Sequence, residues 1–171
     1  MQVRYNTYTL KLEDIPMDPG YASEQVTLYD EDNKMHTIAG QNGKTQLIIS
    51  APFIDKTFKD ELQEINEMLS SEDQHNFECH LVVANSEHQN PHMKHMNFLI
   101  DKEGDFGDWY GVRLLGEVFD GELTKSLMLI TKDGALFYDE YPNDISESFN
   151  HDTLLRKIAA AQTCYTGKGC H

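Results

Sequence analysis

The stretch QLIISAPFIDKTFKDELQEINEML, residues 46–69, contains a strand, a proline turn and a helix in direct succession. Its opening run of apolar residues predicts a strand that is covered on both faces. After the turn, apolar residues recur at Phe58, Leu62, Ile65 and Leu69, which are spaced four, three and four apart. This spacing predicts an amphipathic helix with one buried face. The chain is therefore expected to contain a sheet on which this helix packs.

The segments on either side of this unit predict further strands. Before it, VRYNTYTLKL (3–12) and QVTLYDEDNKMHTIAG (25–40) alternate in the way that strand pairs do. After it, ECHLVVANS (78–86) predicts a second buried strand, and SLMLITKDGALFYDEY (126–141) predicts a hairpin around a Lys-Asp-Gly turn. The apolar runs QLIIS, HLVVA and SLMLI are expected to lie side by side at the buried centre of one sheet.

Three segments are predicted to be helical in addition to the first helix. NPHMKHMNFL (90–99) begins with Asn90 as an N-cap and Pro91 at the first helical position. DFGDWYGVRLLG (105–116) predicts a short helix or a turn followed by a loop, and HDTLLRKIAAAQ (151–162) predicts a terminal helix. Strands and helices in this order predict a mixed sheet flanked by helices, as in a thioredoxin-like α/β domain.

Length and charge set the broad class of the protein. The 171 residues are enough for one domain with a substantial core, and we assign residues 1–161 to the domain and 162–171 to a cysteine-containing tail. The net charge of −15 repels phosphate backbones and anionic lipid surfaces, so neither nucleic acid nor a membrane is an expected partner. The N-terminus has no apolar signal segment, and three cysteines are too few for a disulfide framework. A cytoplasmic location is expected.

The chain also resembles a known family between about Gln25 and Ile158, namely the thiol peroxidase branch of the peroxiredoxins, the atypical two-cysteine type. The resemblance is carried by PFID (52–55), WYGV (109–112), the paired strands of 126–141 and NHDTLLRKI (150–158). It implies a thioredoxin-like fold of the peroxiredoxin type, with a central mixed sheet flanked by helices and an N-terminal strand or hairpin addition. It also implies redox chemistry of the antioxidant kind.

In that family a peroxidatic cysteine stands at the start of the helix that follows the proline turn. Its thiol pKa is lowered by the helix N-terminus and a nearby arginine. The resemblance places this position at Phe58, or at Lys59 if no gap is allowed, and neither side chain can attack a peroxide. The segment that would carry the resolving cysteine, residues 90–96, contains no thiol.

The arginine's position corresponds to Lys102, which keeps the charge and loses the planar fork. Thr57 lies in the turn, although not at the family's spacing. The resemblance therefore predicts a degenerate active site at Pro52, Asp55, Thr57, Phe58 and Lys102.

The tail contains a pair of cysteines, Cys164 and Cys170, around the flexible residues YTGKG. This separation allows the two thiols to close into a disulfide without straining a regular element. Lys168 and the absence of nearby carboxylates favour the reactive thiolate. The pair is interpreted as a dithiol that is oxidised, exchanges with a partner disulfide or binds a soft metal, or else as a terminus without function.

Histidines are concentrated in EHQNPHMKHM (87–96), which contains His88, His92 and His95 together with two methionines. On a helix beginning at Pro91, His92 and His95 would share one face. Imidazole and thioether groups suit copper, nickel or zinc, so the cluster is a candidate metal site. The alternative is a polar, exposed helix with an excess of histidine.

Three other residues have structural interpretations. Cys79 is expected to be a small core residue, because free cysteine is often buried and inert. Trp109 and Tyr110 resemble packing residues of the family and are expected to lie in the core.

The sequence thus predicts a divergent thiol peroxidase-like protein without standard peroxidatic chemistry, linked to redox reactions through the tail dithiol. Two alternatives stay open: a thiol-dependent peroxidase or oxidoreductase that uses Cys164 and Cys170, and a metal-binding protein that uses the histidines. No cofactor is expected. The resemblance implies a second copy of the chain as a partner, packed through the proline turn and residues 109–115. A thiol or disulfide partner protein is the other expected partner.

Overall fold

The computed structural model describes residues 1–163, which contain a large mixed sheet, a small sheet and three helices. The strands are β1 (Gln2–Tyr5), β2 (Tyr8–Leu12), β3 (Val26–Tyr29), β4 (Met35–Ile38), β5 (Thr45–Ser50), β6 (Phe77–Val83), β7 (Asn97–Ile100), β8 (Leu114–Leu115), β9 (Ser126–Ile130) and β10 (Leu136–Glu140). The helices are α1 (Lys56–Leu69), α2 (Asp105–Tyr110) and α3 (His151–Thr163).

The large sheet has seven strands in the order β10-β9-β5-β6-β7-β3-β4. Strands β5, β6 and β7 run parallel, and the remaining neighbours are antiparallel. The apolar runs of β9, β5 and β6 lie side by side, which confirms the predicted centre of the sheet. Strands β4 and β10 form its two edges. Strands β1, β2 and β8 form a separate antiparallel sheet, which confirms the N-terminal hairpin addition.

Helices cover both faces of the large sheet. Helices α1 and α3 pack on the face that presents Leu47 and Ile49 of β5, whereas α2 packs on the face that presents Ile48. Successive side chains of a strand point to opposite faces, so a run buried at every position requires cover on both sides. The predicted amphipathic helix is confirmed as α1, and its four periodic apolar residues are buried.

The prediction of a helix over residues 90–99 was wrong. Residues 84–96 form bends and turns, and residues 97–100 form β7, which pairs in parallel with β6. The Asn90 side chain accepts a hydrogen bond from the backbone N–H of His92, as in a helix cap, but His92 then has a φ of +57°. A left-handed residue at this point ends the turn, and pairing with β6 fixes the residues that follow.

The expectation for Trp109 was also wrong, whereas that for Tyr110 is confirmed. Tyr110 is fully buried beside Phe106, and their ring centroids are 5.1 Å apart. These two residues are four apart in α2 and therefore share its inner face. Trp109 lies off that face, and 55% of its surface is exposed.

Two further observations concern the whole described chain. Helix α3 extends to Thr163 and so includes the first two residues assigned to the tail. Within residues 1–163, no helix combines the length and the apolar content that a membrane crossing requires.

Candidate functional site

The candidate site lies at the start of α1, directly after the proline turn. Asp55 is the N-cap of this helix, and its side chain accepts a 2.8 Å hydrogen bond from the backbone N–H of Phe58. A carboxylate at this position satisfies one of the unpaired N–H groups and complements the positive end of the helix dipole. Pro52 is buried, whereas Asp55 and Thr57 are exposed at the surface of the turn. The turn thus fixes the direction in which the first helical side chains point.

Phe58 is the side chain of the first turn of α1 that points into the protein. It is 4% exposed, while the adjacent Lys59 is exposed. The ammonium group of Lys125 lies 4.8 Å from the centroid of the Phe58 ring and 4.8 Å from that of Phe149. An ammonium over an aromatic face is attracted by the ring quadrupole. Of the two positions that the resemblance allowed for the missing cysteine, Phe58 is the one that faces a cation.

Lys125 is held by a buried carboxylate. Its Nζ donates a 2.6 Å hydrogen bond to Oε1 of Glu61 and another to the backbone carbonyl of Glu147. Both the lysine and the glutamate side chains are 5% exposed. A buried charge is tolerated only when it is paired and hydrogen-bonded, and this pair meets that condition.

Glu61 also joins α1 to the start of α3. Its Oε2 accepts a 2.6 Å hydrogen bond from the backbone N–H of Phe149 and lies 2.8 Å from Nε2 of His151. The other ring nitrogen of His151 lies 3.2 Å from a carboxylate oxygen of Glu64. The carboxylate of Glu61 is therefore satisfied on both oxygens, and it connects the helix start, β9 and α3.

The prediction for Lys102 was wrong, because this residue lies beside the β3–β4 hairpin. Its ammonium contacts the side-chain oxygen of Asn33 and lies 5.5 Å from the centroid of the Tyr29 ring. The cation beside the helix start is Lys125, at the end of the loop that leads into β9. Sequence reasoning missed both Lys125 and Glu61. One signal was available for the glutamate, because it follows Phe58 by three residues and so lies on the buried face of α1.

A cavity of about 160 Å³ opens beside this network. Aromatic rings, polar side chains and the buried ion pair line it together. The lining residues are Tyr5, Asn6, Phe53, Asp55, Thr57, Phe58, Glu61, Lys125, Ile145, Ser146 and Ser148. Three of the predicted site residues, Asp55, Thr57 and Phe58, therefore do share one cavity.

The predicted histidine cluster does not form. His88 is paired with Glu122 at 2.7 Å, and the backbone N–H groups of His92 and His95 donate to Asn90 and Asn66 respectively. Because residues 90–96 form no helix, no shared helical face brings the rings together. No three His, Cys, Asp or Glu side chains within residues 1–163 are arranged to hold a metal ion.

One of the three cysteines, Cys79, lies within the part of the chain that the structure describes. Cys79 in β6 is 2% exposed, and burial raises the pKa of its thiol, which confirms its interpretation as a core residue. A thiol held in its neutral form is a poor nucleophile. Cys164 and Cys170 lie outside the described residues.

Comparison with known protein structures identifies the fold of the chain. No family model matches the chain, and no curated protein matches it. Its structure is similar to that of a peroxiredoxin-like protein from Aquifex aeolicus, with a TM-score of 0.81 and 18% identity over 92% of this chain and 95% of that chain. The thiol peroxidase from Chromobacterium violaceum gives a TM-score of 0.77 and 16% identity over the same shares of the two chains. AhpC from Enterococcus faecalis gives 0.61 and 18% over 86% and 92%.

These similarities define the class of fold. At 16 to 18% identity they show the fold alone, and they confirm the expected thioredoxin-like fold of the peroxiredoxin type. The chain thus shares its architecture with thiol peroxidases. Its own chemistry depends on the residues that it has at the start of α1.

Proposed function

We propose that this protein is a divergent relative of the thiol peroxidases that does not turn over peroxide at the start of α1 and acts by binding instead. The observation that supports this is the burial of the Phe58 ring against Lys125. A phenyl ring has neither a lone pair nor a removable proton, so it cannot displace hydroxide from a peroxide. The exposed Lys59 lacks a thiol as well.

A peroxide-consumption assay with a thiol reductant tests this proposal. We expect no turnover above the rate of the reductant alone. The matched sample is the double variant Cys164→Ser, Cys170→Ser, which removes the tail thiols and leaves the helix start intact. Fast turnover in that variant would contradict the proposal, because the activity would then belong to the folded domain.

A second candidate function is thiol–disulfide exchange through the tail. Cys79 is buried with a raised thiol pKa, so the redox capacity of the chain would fall to Cys164 and Cys170, which follow α3 directly. In the exchange, the two tail thiols would form one disulfide while a partner disulfide is reduced to two thiols. This exchange is less demanding than attack on peroxide, which requires fixed dipoles and a cation around the thiolate.

Mass spectrometry after mild oxidation tests the tail. Loss of two hydrogen atoms from the peptide that contains both cysteines, with a measurable reduction potential, is the expected result. Two tail thiols that stay reduced would leave binding as the function.

A homodimer remains our proposal for the assembly, and we propose the cytoplasm as the location. The exposed Trp109, beside the other residues of 109–115, supports a contact surface there. Exposed large aromatic side chains are enriched at interfaces between proteins. Sedimentation should give twice the monomer mass, and a monomer at micromolar concentration would contradict the dimer. Trp109→Ala should weaken the association, while Leu155→Ala, on the outer surface of α3, is the control.

A further inference from the structure

The cavity beside α1 has the size of a site for one ring. Its volume of about 160 Å³ is close to the roughly 150 Å³ of an engineered protein cavity that binds benzene. Tyr5 and Phe53 form an aromatic wall, with ring centroids 5.4 Å apart, and Phe119 packs against both rings at 5.0 and 5.3 Å. The buried ring of Phe58 adds further apolar surface to the lining. The phenyl ring of Phe58 thus makes the cavity more apolar than a polar side chain at this position would.

The charges in the cavity disfavour both anions and cations. Lys125 is paired with Glu61 at 2.6 Å, so an anionic ligand would have to compete with that carboxylate for the ammonium. The carboxylate of Asp55, together with the net charge of −15, repels an anionic ligand further. A cationic ligand would find both carboxylates already engaged, because Glu61 pairs with Lys125 and Asp55 accepts the backbone N–H of Phe58. A neutral ligand is neither repelled nor left as an unpaired charge.

The polar lining residues supply directional contacts. The side chains of Asn6, Thr57 and Ser148 make no hydrogen bond to other groups within residues 1–163. An amide and two hydroxyl groups offer both donors and acceptors to a ligand. The lining thus combines aromatic rings with seven polar or charged side chains, which suits a ligand that has both an apolar ring and a polar group.

We infer that this cavity binds a small neutral molecule of single-ring size that carries a hydroxyl or amide group, with phenol and benzamide as its simplest representatives. The inference rests on the proposed function, since it names the ligand class for the same helix start.

Titration of the full-length protein with four probes, followed by the backbone amide signals in NMR, tests the inference. Phenol and benzamide should shift the signals of residues 53–58 and 145–148. Benzoate and benzylamine should bind at least about tenfold more weakly, because each carries a charge that the cavity disfavours. Equal binding of all four probes, or shifts confined to other parts of the chain, would overturn the inference.

A matched pair of variants locates the site. Phe53→Ala removes part of the aromatic wall and should weaken phenol binding at least about fivefold. Tyr21→Ala removes a ring that is 65% exposed and outside the cavity, so phenol binding should not change. Unchanged binding in Phe53→Ala, with its fold intact by circular dichroism, would contradict the assignment. Peroxide turnover by the same protein would overturn the proposed function, whereas no turnover and no shifts would overturn only the ligand inference.

Discussion

Lys125 and Arg113 each lie beside the start of a helix, but their ion pairs differ in exposure. Lys125, near α1, meets Glu61, and both side chains are 5% exposed. Arg113, near α2, meets Glu13 and Asp108, whose side chains are 48% and 62% exposed. Two charges 4 Å apart attract by about 1 kcal/mol in water and by about 4 kcal/mol at the lower dielectric near a protein. The exposure of the partner carboxylate therefore determines how much each ion pair contributes to the free energy of unfolding.

The largest effect is expected from Lys125→Met. This variant leaves the Glu61 carboxylate buried without its ammonium, and we expect a loss of about 3 kcal/mol in the free energy of unfolding. The value lies at the low end of the range for broken buried pairs because Phe149 and His151 still contact the carboxylate. Urea unfolding followed by circular dichroism measures the change.

The double variant Lys125→Met, Glu61→Leu is the control for this result. It removes both charges, so it should recover part of the stability that the single variant loses. A double variant less stable than Lys125→Met would mean that Glu61 stabilises the protein mainly through its contacts with α3.

The second effect concerns the field of Lys125 at the helix start. In Phe58→Cys the new thiol would face this ammonium, whereas in Lys59→Cys it would face solvent. We expect the midpoint of alkylation against pH to be about one pH unit lower for Cys at 58, because a nearby cation and the helix N-terminus favour the thiolate.

Both variants should first be made in a chain without the tail thiols and checked by circular dichroism, since loss of the buried ring costs stability. Equal midpoints for the two thiols would show that the pairing of Lys125 with Glu61 cancels the effect of its charge on a thiol pKa at the helix start.

A smaller effect is expected from Arg113→Met, the matched change at the exposed site. We expect a loss of about 1 kcal/mol at low salt, since exposed ion pairs contribute little. The difference from the unchanged protein should shrink at high salt, because ions screen exposed charges more than buried ones. A loss as large as that of Lys125→Met would contradict the comparison. It would point instead to the hydrogen bond that Arg113 donates to the carbonyl of Gly104 at 2.6 Å.

The smallest effect is expected at Asp139 in β10, a partly exposed carboxyl that forms no salt bridge within residues 1–163. Burial and then the nearby Asp18 raise its pKa from 3.8 to about 6. The folded state therefore holds this proton more tightly than the unfolded state. The contribution of the group to stability is present below pH 4 and is lost as the pH rises through about 6.

Asp139→Asn removes the titrating carboxyl group, and with it the loss of stability as the pH rises. We expect the variant to be more stable than the unchanged protein at pH 7 by about 1 kcal/mol at most, since screening reduces the full effect at a partly exposed site. The gain should disappear below pH 4. Thermal unfolding at a series of pH values measures it, and a gain that is independent of pH would exclude titration of Asp139 as its cause.

Periodicity predicted most of the fold, because most elements bury a regular pattern. The strands at the centre of the sheet and the buried face of α1 follow directly from their apolar spacing. The segment 90–99 shows the limit of this reasoning. Its first residues have the chemistry of a helix start, but β7 is fixed by pairing with β6, a tertiary contact that local spacing does not report.

The candidate site was predictable only in part for the same reason. The turn and the position of Phe58 follow from a contiguous stretch of sequence. The Lys125–Glu61 pair joins residues 64 positions apart, and the nearer candidate, Lys102, has the same charge. Nothing in the order of the residues distinguishes the two lysines before the sheet brings β9 beside α1.

The β4 edge of the seven-stranded sheet has a consequence for solubility. Strand β4 leaves one side unpaired, and Met35 within it is 70% exposed, so this edge offers backbone groups to another chain. It is only four residues long, and the turn before it carries Asp30, Glu31 and Asp32. Electrostatic repulsion between negatively charged copies opposes edge-to-edge aggregation at neutral pH. Near the isoelectric point of about 4.7 that repulsion vanishes, and the same edge becomes a starting point for precipitation.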